Sequence, residues 1–270
     1  MREYSRLALE TEAVALEAAD YIKSQASLIT EAGVETKGLH NYVTRVDRTA
    51  EEMIVQKLRP LLPGAGFITE EETDTTRGLR YNWVIDPLDG TTNFIHGVPL
   101  SSVSIALMEG DETIIGSVTE VHSRESFLAW KDGPALRNGQ AIHVSQRQNP
   151  EESLLVTGFP YYDYDRLDAY LRLFRHFMKT TRGLRRLGSA ALDLAWVACG
   201  RFDAFYEYGL NPWDVAAGAF IVERAGGKNT DFEDGKNFIF GKEILSSNGL
   251  VHSSLLTDIR RFFANETFPE

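Results

Sequence analysis

The sequence predicts an α+β fold in which a large antiparallel sheet with helices is followed by a smaller α/β part. Successive strand-like segments between residues 100 and 130 are separated by short turns, as in antiparallel hairpins. From about residue 149 onward, strand patterns alternate with helical patterns. We therefore predict an N-terminal α+β subdomain over residues 1–148 and a C-terminal α/β subdomain over residues 149–270, the two forming one domain.

The first third of the chain predicts two helices. Residues 1–29 carry apolar side chains at helical spacing, which indicates a long amphipathic helix. A loop is predicted between Gly33 and Gly38. A second apolar stripe covers residues 44–61, and two prolines at its end stop that helix.

The strands of the large sheet are predicted next. A short strand at Phe67–Thr69 is followed by three glutamates. The apolar strand Trp83–Ile85 is expected to end at Asp86, because Pro87 has no N–H for a strand ladder and restricts the residue before it. Three alternating segments are predicted as antiparallel strands at Leu100–Met108, Thr113–Val121 and Ser126–Trp130.

The second half predicts a smaller set of elements. Strands are expected at residues 154–157, 202–206 and 243–247, and helices at residues 164–178, 215–225 and 251–263, with a further helix opening at Ser189. The most basic segment, Arg182–Leu187, is predicted to be a strand whose exposed charges have a structural role.

Composition limits the partners and the compartment. The net charge of −11 disfavours a general nucleic-acid or anionic-membrane binder. The single cysteine, Cys199, excludes an intramolecular disulfide framework and fits a reducing compartment. No signal peptide is recognisable, and no apolar run approaches the roughly 20 residues of a membrane span. We expect a cytoplasmic protein with no nucleic-acid and no membrane partner.

One acidic turn stands out at the end of the Trp83–Ile85 strand. Asp-Pro-x-Asp-Gly turns are common on surfaces, but here an apolar strand leads into Asp86 and Asp89, and two threonines follow at once. Two carboxylates at a strand end can converge on one hard cation, joined by the carbonyl of Leu88. The helix start behind them offers N–H groups to an anion. The turn therefore predicts a Mg²⁺-like site that touches a phosphate site.

The run from Asp86 to Phe94, Asp-Pro-Leu-Asp-Gly-Thr-Thr-Asn-Phe, resembles the signature of the inositol monophosphatases. This family lies within the Mg²⁺-dependent, lithium-sensitive phosphatases, and the resemblance extends over roughly Lys37 to Asn248. It implies a layered α/β sandwich of the sugar-phosphatase type and a homodimer.

The resemblance also implies the cofactor, Mg²⁺, as two or three ions, with Mn²⁺ able to substitute. Glu70, Asp86 and the Leu88 carbonyl would hold one ion, and Asp86, Asp89 and Asp214 a second. A weaker third ion would be held mainly through Glu70. All-oxygen ligation of this kind favours Mg²⁺ or Mn²⁺ over Zn²⁺.

Glu70 is placed by a Gly-Glu-Glu motif of the family, in which the first glutamate is a metal ligand. Thr69 stands here where the family has glycine. Glu71 therefore remains the alternative ligand if the alignment slips by one residue.

Thr91, Asp47 and Glu70 are the catalytic residues that the resemblance implies. Thr91, hydrogen-bonded to Asp47, would orient and deprotonate the attacking water. The residues alone leave another interpretation open, because an acid near a helix start also compensates the helix dipole. With the resemblance, we favour the catalytic pairing.

The substrate contacts implied by the resemblance are Asp89, Gly90, Thr91, Ser189, Ala190 and Glu207. The backbone N–H groups of Gly90 and Thr91 would hold phosphate oxygens, and Glu207 would bind substrate hydroxyls. Without the resemblance, Glu207 would be interpreted as a surface acid.

We therefore expect a Mg²⁺-dependent phosphomonoesterase that hydrolyses inositol monophosphate, or a similar polyol or sugar phosphate, by metal-activated water. The alternatives within the superfamily are a fructose-1,6-bisphosphatase and a 3'(2'),5'-bisphosphate nucleotidase. Nucleotidases tend to have Gly-Thr-Lys-Glu-Phe after the acidic turn, whereas this chain has Gly-Thr-Thr-Asn-Phe at 90–94, which favours the inositol monophosphatases. A non-catalytic regulatory or binding protein on the same scaffold is the alternative from another class.

Overall fold

The computed structural model describes residues 2–28, 34–38, 41–160 and 164–264. The two predicted N-terminal helices are α1 (Arg2–Gln25) and α2 (Arg45–Leu58). Between them, strands β1 (Val34–Gly38) and β2 (Asn41–Thr44) pair antiparallel. The prediction of a loop at this point is wrong over the described residues, because β-branched side chains on both strands favour extended backbone.

A seven-stranded sheet forms the larger half of the fold, with its strands in sequence order from β3 to β9. They are β3 (Gly66–Thr69), β4 (Tyr81–Asp89), β5 (Ser102–Glu109), β6 (Glu112–Glu120), β7 (Ser126–Trp130), β8 (Leu136–Arg137) and β9 (Gln140–Ala141). All neighbouring pairs are antiparallel except β3 and β4, which run parallel. The sheet is therefore mixed at one edge.

Strand β4 is longer than predicted. Asp86 is paired with Ser104 and Asp89 with Ser102, so three steps along β4 correspond to two steps along β5. This bulge holds Pro87 at a point where the ladder is already interrupted. The prediction that the strand ends at Asp86 is therefore wrong, and the acidic turn is part of the strand itself.

A five-stranded sheet forms the smaller half, in the order β11-β10-β12-β14-β13. Its strands are β10 (Leu154–Thr157), β11 (Gly183–Arg185), β12 (Ala204–Tyr208), β13 (Lys228–Thr230) and β14 (Glu243–Ser247). The remaining helices are the short α3 (Thr91–Ile95) and the longer α4 (Leu167–Thr180), α5 (Ala190–Ala198), α6 (Pro212–Arg224) and α7 (His252–Phe263). Among the described helices, none combines the length and the apolar run that crossing a bilayer requires.

The elements stack in five layers. Helices α1 and α2 cover one face of the large sheet, α5 and α6 lie between the two sheets, and α4 and α7 cover the outer face of the small sheet. Side chains of β4 alternate between the two faces of the large sheet. Trp83 and Ile85 pack towards α1 and α2, whereas Val84 packs towards α5 and α6. The core between the sheets draws side chains from both sides of the predicted boundary between residues 148 and 149, and that boundary stays a prediction.

Helix α6 lies close to the large sheet. A Cβ added to Gly116 of β6 would stand 2.6 Å from the carbonyl oxygen of Ala217, so only glycine allows this spacing. On its other side, a Cβ added to Gly218 would stand 2.6 Å from the Cβ of Leu194 in α5. The central helices are thus positioned by backbone-level packing against both neighbours.

Candidate functional site

A cleft of about 860 Å³, open solvent at its mouth included, lies where elements of both halves meet. Its wall combines the ends of β3, β4 and β12 with the starts of α3, α5 and α6. Ten of the predicted site residues line it: Glu70, Asp86, Leu88, Asp89, Gly90, Thr91, Ser189, Ala190, Glu207 and Asp214. Asp47 stands behind this wall and reaches the cleft through Thr91.

The bulge in β4 brings the first two carboxylates to one side of the sheet. In a regular strand, residues three positions apart point to opposite faces. Here Asp86 and Asp89 are paired with Ser104 and Ser102, which are two positions apart and share a face. The extra residue of the bulge therefore turns both carboxylate side chains to the same face of the sheet, and both line the cleft.

Each aspartate is anchored through one of its oxygens. Asp86 Oδ1 accepts a hydrogen bond from the Leu88 N–H at 2.9 Å. Asp89 Oδ2 accepts from the Ser189 hydroxyl and from the Ala191 N–H, both at 2.7 Å. Asp214 Oδ2 accepts from a backbone N–H at the start of α6, at 2.6 Å. These bonds fix the carboxylates without using all of their lone pairs.

Burial and mutual repulsion dominate the electrostatics. Burial, and then the negative charges of Asp214 and Glu71, raise the pKa of Glu70 well above its ordinary range. Burial raises the pKa of Asp89 to about 6. Burial, followed by the charge of Asp89, raises the pKa of Asp214 to about 7. The acids are therefore held together against their own charge.

The donor set fits a hard cation. Among the described histidine, cysteine, aspartate and glutamate side chains, no group of three is arranged around one point as a preformed metal site. This agrees with the hydrogen bonds described above, which hold one oxygen of each aspartate. The acids nevertheless line one cleft, and every donor atom there is oxygen, as Mg²⁺ and Mn²⁺ prefer. Positive charge among them would relieve the repulsion that raises their pKa values.

The choice between Glu70 and Glu71 follows from their surroundings. Glu70 lines the cleft beside Asp86. Glu71 lies outside the cleft lining, is nearly buried, and approaches Arg48 at 3.9 Å, while its N–H donates to Glu51. The structure thus brings Glu70, and not Glu71, to the other acids.

Thr91 opens helix α3 and faces two acceptors. Its Oγ1 stands 3.0 Å from Asp47 Oδ1 and 3.0 Å from the Leu88 carbonyl. Asp47 is only 1% exposed, so the alternative of an acid that merely compensates a helix dipole does not account for its buried bond. Gly90 precedes the helix with φ +96°, and a Cβ there would approach the Gly188 carbonyl to 3.0 Å, which explains the glycine.

The opposite wall of the cleft carries Glu207. Its side chain is buried, so the interpretation as a surface acid is wrong. A Cβ added to Gly158 would stand 2.1 Å from both carboxylate oxygens of Glu207. The carboxylate therefore packs directly on the backbone of the segment that follows β10.

Comparisons with known proteins agree with this site. The profile of the inositol monophosphatase family matches residues 4–262. The chain belongs to the inositol monophosphatase family. An inositol-1-monophosphatase of Caulobacter vibrioides is 38% identical over 241 residues, which is 86% of this chain and 92% of that protein. A protein of Pseudomonas aeruginosa named Nus factor SuhB is 45% identical over 232 residues, 84% of this chain and 86% of that protein.

The fold comparison gives the same result. The structure of an inositol monophosphatase (IMPase) from Thermotoga maritima superposes with a TM-score of 0.86, at 34% sequence identity, covering 95% of this chain and 97% of the other. Membership of the family makes this chain a metal-dependent phosphomonoesterase. The predicted α+β fold is confirmed by this likeness and by the two mixed sheets.

Sequence reasoning missed two charged residues of this phosphatase cleft. Arg186 was predicted to be exposed and structural, yet β11 ends before it and its guanidinium lines the cleft, 5.3 Å from the ring centroid of Phe159. Asp193 lines the cleft although it is only 1% exposed. A detectable signal existed for Asp193, because it is the one charged residue in the apolar helix Ala190–Ala198.

The raised pKa values predict an unusual pH dependence for this inositol monophosphatase family member in EDTA. Asp89 and Asp214 bind protons more tightly in the folded state than their ordinary pKa near 4 allows. Their stabilising effect is complete below about pH 4 and is lost as pH rises through about 6 to 7, because the unfolded chain then binds fewer protons. The free energy of unfolding should therefore fall between pH 5 and pH 8, as measured by denaturant titration.

The variant Asp214→Asn should flatten this decline and raise stability at pH 8 in EDTA. Asp74→Asn is the matched control, because the pKa of Asp74 is lowered by hydrogen bonds with Thr76 and Arg59, against the opposing effect of its burial, and it titrates below this range. A stability that stays level or rises from pH 5 to pH 8 in the unsubstituted protein would contradict the assignment.

Proposed function

We propose that this chain hydrolyses the phosphate ester of a polyol, with inositol monophosphate as the leading substrate, in a Mg²⁺-dependent reaction. A similar polyol or sugar phosphate is included in the proposal. One observation carries it: four carboxylates of the cleft, those of Glu70, Asp86, Asp89 and Asp214, lie next to a Thr91–Asp47 hydrogen bond at the start of α3. Charged acids gathered at a helix start suit a cation-held phosphate rather than a neutral ligand.

Five residues would hold the cations. Glu70, Asp86 and the Leu88 carbonyl are proposed for one Mg²⁺, and Asp86, Asp89 and Asp214 for a second, with a weaker third ion mainly at Glu70 and with Mn²⁺ as a substitute. When bound, such ions supply positive charge that orients the phosphate, activates a water and stabilises the departing oxygen. Glu70 is thereby counted among the catalytic residues.

Thr91 and Asp47 are proposed to take the proton from the attacking water. The threonine hydroxyl has one hydrogen and faces two acceptors at equal distance, Asp47 Oδ1 and the Leu88 carbonyl. If the Leu88 carbonyl becomes a cation ligand, the hydrogen is left to Asp47. The threonine oxygen can then accept from the water while Asp47 receives the proton.

Substrate binding is proposed to divide between two walls. The backbone N–H groups of Gly90 and Thr91 would hold phosphate oxygens, with Asp89 beside them. Ser189 and Ala190 at the start of α5 would contact the polyol ring, and Glu207 would accept its hydroxyls. The Ser189 hydroxyl is already fixed by Asp89 and Ser102, which supports a positioning role at the junction of the walls.

The alternative substrates are fructose-1,6-bisphosphate and a 3'(2'),5'-bisphosphate nucleotide. The Gly-Thr-Thr-Asn-Phe run favours the inositol phosphate. A panel of the three esters assayed side by side in Mg²⁺ separates these possibilities, because each predicts a different highest kcat/KM.

A second candidate function comes from the relatives named Nus factor SuhB. A role as a Nus factor would not need turnover, and it would make this chain a binding protein in addition to an enzyme. An inactive Asp89→Asn variant that fully replaces the normal protein in its own cell would support that role. Failure of the same variant would favour the phosphatase as the required activity.

The assembly and the compartment are also proposals. The resemblance to the family supports a homodimer, and the single cysteine supports a reducing, cytoplasmic compartment. Neither nucleic acid nor a membrane is proposed as a partner of the catalytic cleft. Sedimentation equilibrium tests the homodimer directly.

Metal dependence is the first functional prediction. Because the cleft is an all-carboxylate cluster, phosphate release from inositol monophosphate should stop in EDTA and return with excess Mg²⁺. Ca²⁺ should inhibit, since it takes more ligands at longer distances than the octahedral Mg²⁺ site allows. Full activity in excess EDTA would contradict the mechanism.

The Thr91–Asp47 pair gives a prediction that separates proton transfer from metal binding. Thr91→Ala and Asp47→Asn should each lower kcat by about 10²-fold or more, the scale of losing one general base. The Mg²⁺ concentration for half-maximal activity should change little. The double variant should be no worse than the worse single variant, because residues that act as one unit are not additive.

Thr92→Ala is the matched control, since this neighbouring threonine is exposed and should keep near-normal turnover. The competing interpretation of Asp47 as a helix-start charge predicts a stability loss of about 0.3–1 kcal/mol with normal kcat. Additive effects in the double variant, or normal turnover in Asp47→Asn, would refute the pair.

A further inference from the structure

Asp193 is a buried acid of the cleft for which neither the fold nor the proposed mechanism has a use. It stands in the first turn of α5, an otherwise apolar helix. Only 1% of its surface is exposed, yet it forms part of the cleft wall. An acid in a first helical turn is favoured by the helix dipole, but that effect is equally available to an exposed side chain and does not require burial.

One oxygen of this carboxyl group lacks a partner. Asp193 Oδ1 is inaccessible to solvent and makes no hydrogen bond within the described part of the chain. By contrast, Asp203, another buried acid, accepts hydrogen bonds from Ser145, Arg147 and the Leu154 N–H. A buried polar atom that stays unpaired costs free energy, and native proteins usually satisfy it or use it for binding.

The surroundings of Asp193 indicate what kind of group would satisfy it. Glu207, also buried, lies on the same wall, and Arg186 is the one cation among the described residues that line the cleft. Burial and then the charge of Glu207 raise the pKa of Asp193, while Arg186 lowers it. Two acids facing one guanidinium leave no surplus positive charge for a second anion. A neutral hydrogen-bond donor is the group that fits.

We propose that the Asp193 carboxylate, which lines the cleft, binds a substrate hydroxyl adjacent to the one that Glu207 binds. The cleft then selects phosphate esters whose alcohol carries two neighbouring hydroxyls. Asp193 is thus a specificity-determining residue, distinct from the groups that handle the phosphate. This inference rests on the proposed phosphatase function.

The experiment compares two esters across three variants. Inositol monophosphate carries neighbouring hydroxyls, and phenyl phosphate carries none. Asp193→Ala should lower the ratio of kcat/KM for inositol monophosphate to that for phenyl phosphate by about tenfold or more, because a site built for a hydroxyl loses discrimination when its acceptor is removed. Asp193→Asn keeps a hydrogen-bonding group and should lose no more than about threefold.

Asp203→Asn is the control for a buried acid outside the cleft. It should lower the melting temperature and leave the ratio unchanged. A ratio within twofold of the unsubstituted protein in Asp193→Ala would overturn the proposal, since a purely structural acid alters stability and not selectivity.

A series of deoxyinositol monophosphates keeps the test decisive if Asp193→Ala folds poorly. One member of the series, which lacks the hydroxyl that meets Asp193, should be a poor substrate of the unsubstituted protein and should lose nothing further in Asp193→Asn or Asp193→Ala. Such non-additivity identifies a direct contact. Losses that simply add for every deoxy compound would overturn the contact.

Equilibrium binding separates failure of this inference from failure of the phosphatase function. Calorimetric titration with inositol monophosphate in Ca²⁺ should show about tenfold weaker binding to Asp193→Ala than to the unsubstituted protein. If neither ester is hydrolysed in Mg²⁺, the phosphatase proposal fails, while the titration still decides the role of Asp193. Equal binding by both proteins would overturn that role whatever the activity.

Discussion

Repulsion among the carboxylates gathered in one cleft is the constraint on which this structure depends. Glu70, Asp86, Asp89 and Asp214 come from three separate segments of the chain, and they are brought into one cleft where burial raises their pKa values. Such a cluster destabilises the fold unless cations or protons offset it. The packing of the surrounding layers must therefore be stable enough to hold the acids in place. The cleft as a consequence attracts positive charge.

The layered architecture meets this requirement by drawing the acids from both halves. The large sheet supplies three of them, and helix α6, which lies between the sheets, supplies Asp214. A bulge in β4 turns Asp86 and Asp89 to the same side. The hydrogen bonds from Ser189 and Ala191 then link Asp89 to helix α5, so the site itself joins the two halves across the central layer.

Much of this could be predicted from the sequence, because it is local. Alternation between residues 100 and 130 identifies the antiparallel strands, and the acidic turn identifies the cleft. The course of β4 past Pro87 could not be predicted, since a bulge depends on the partner strand. The positions of Arg186 and Asp193 in the cleft could not be predicted either. A charged residue in a basic segment or in a first helical turn gives the same local sequence pattern whether its side chain is exposed or buried. The family motif already placed Glu70 ahead of Glu71 as the ligand, but the contact between Glu71 and Arg48 could not be predicted from it.

Gly116 is a position from which the placement of helix α6, and so of Asp214, can be changed. It lies under α6, where any side chain would press on the carbonyl of Ala217, three residues beyond Asp214. A bulkier residue at position 116 would push α6 away from the sheet and tilt it. The first turn of the helix would then move relative to the acids of the large sheet, although the substituted side chain would not contact the cleft. Substitutions of increasing size at this position therefore offer a means of changing the spacing between the acids of the site, while its chemical groups remain unaltered.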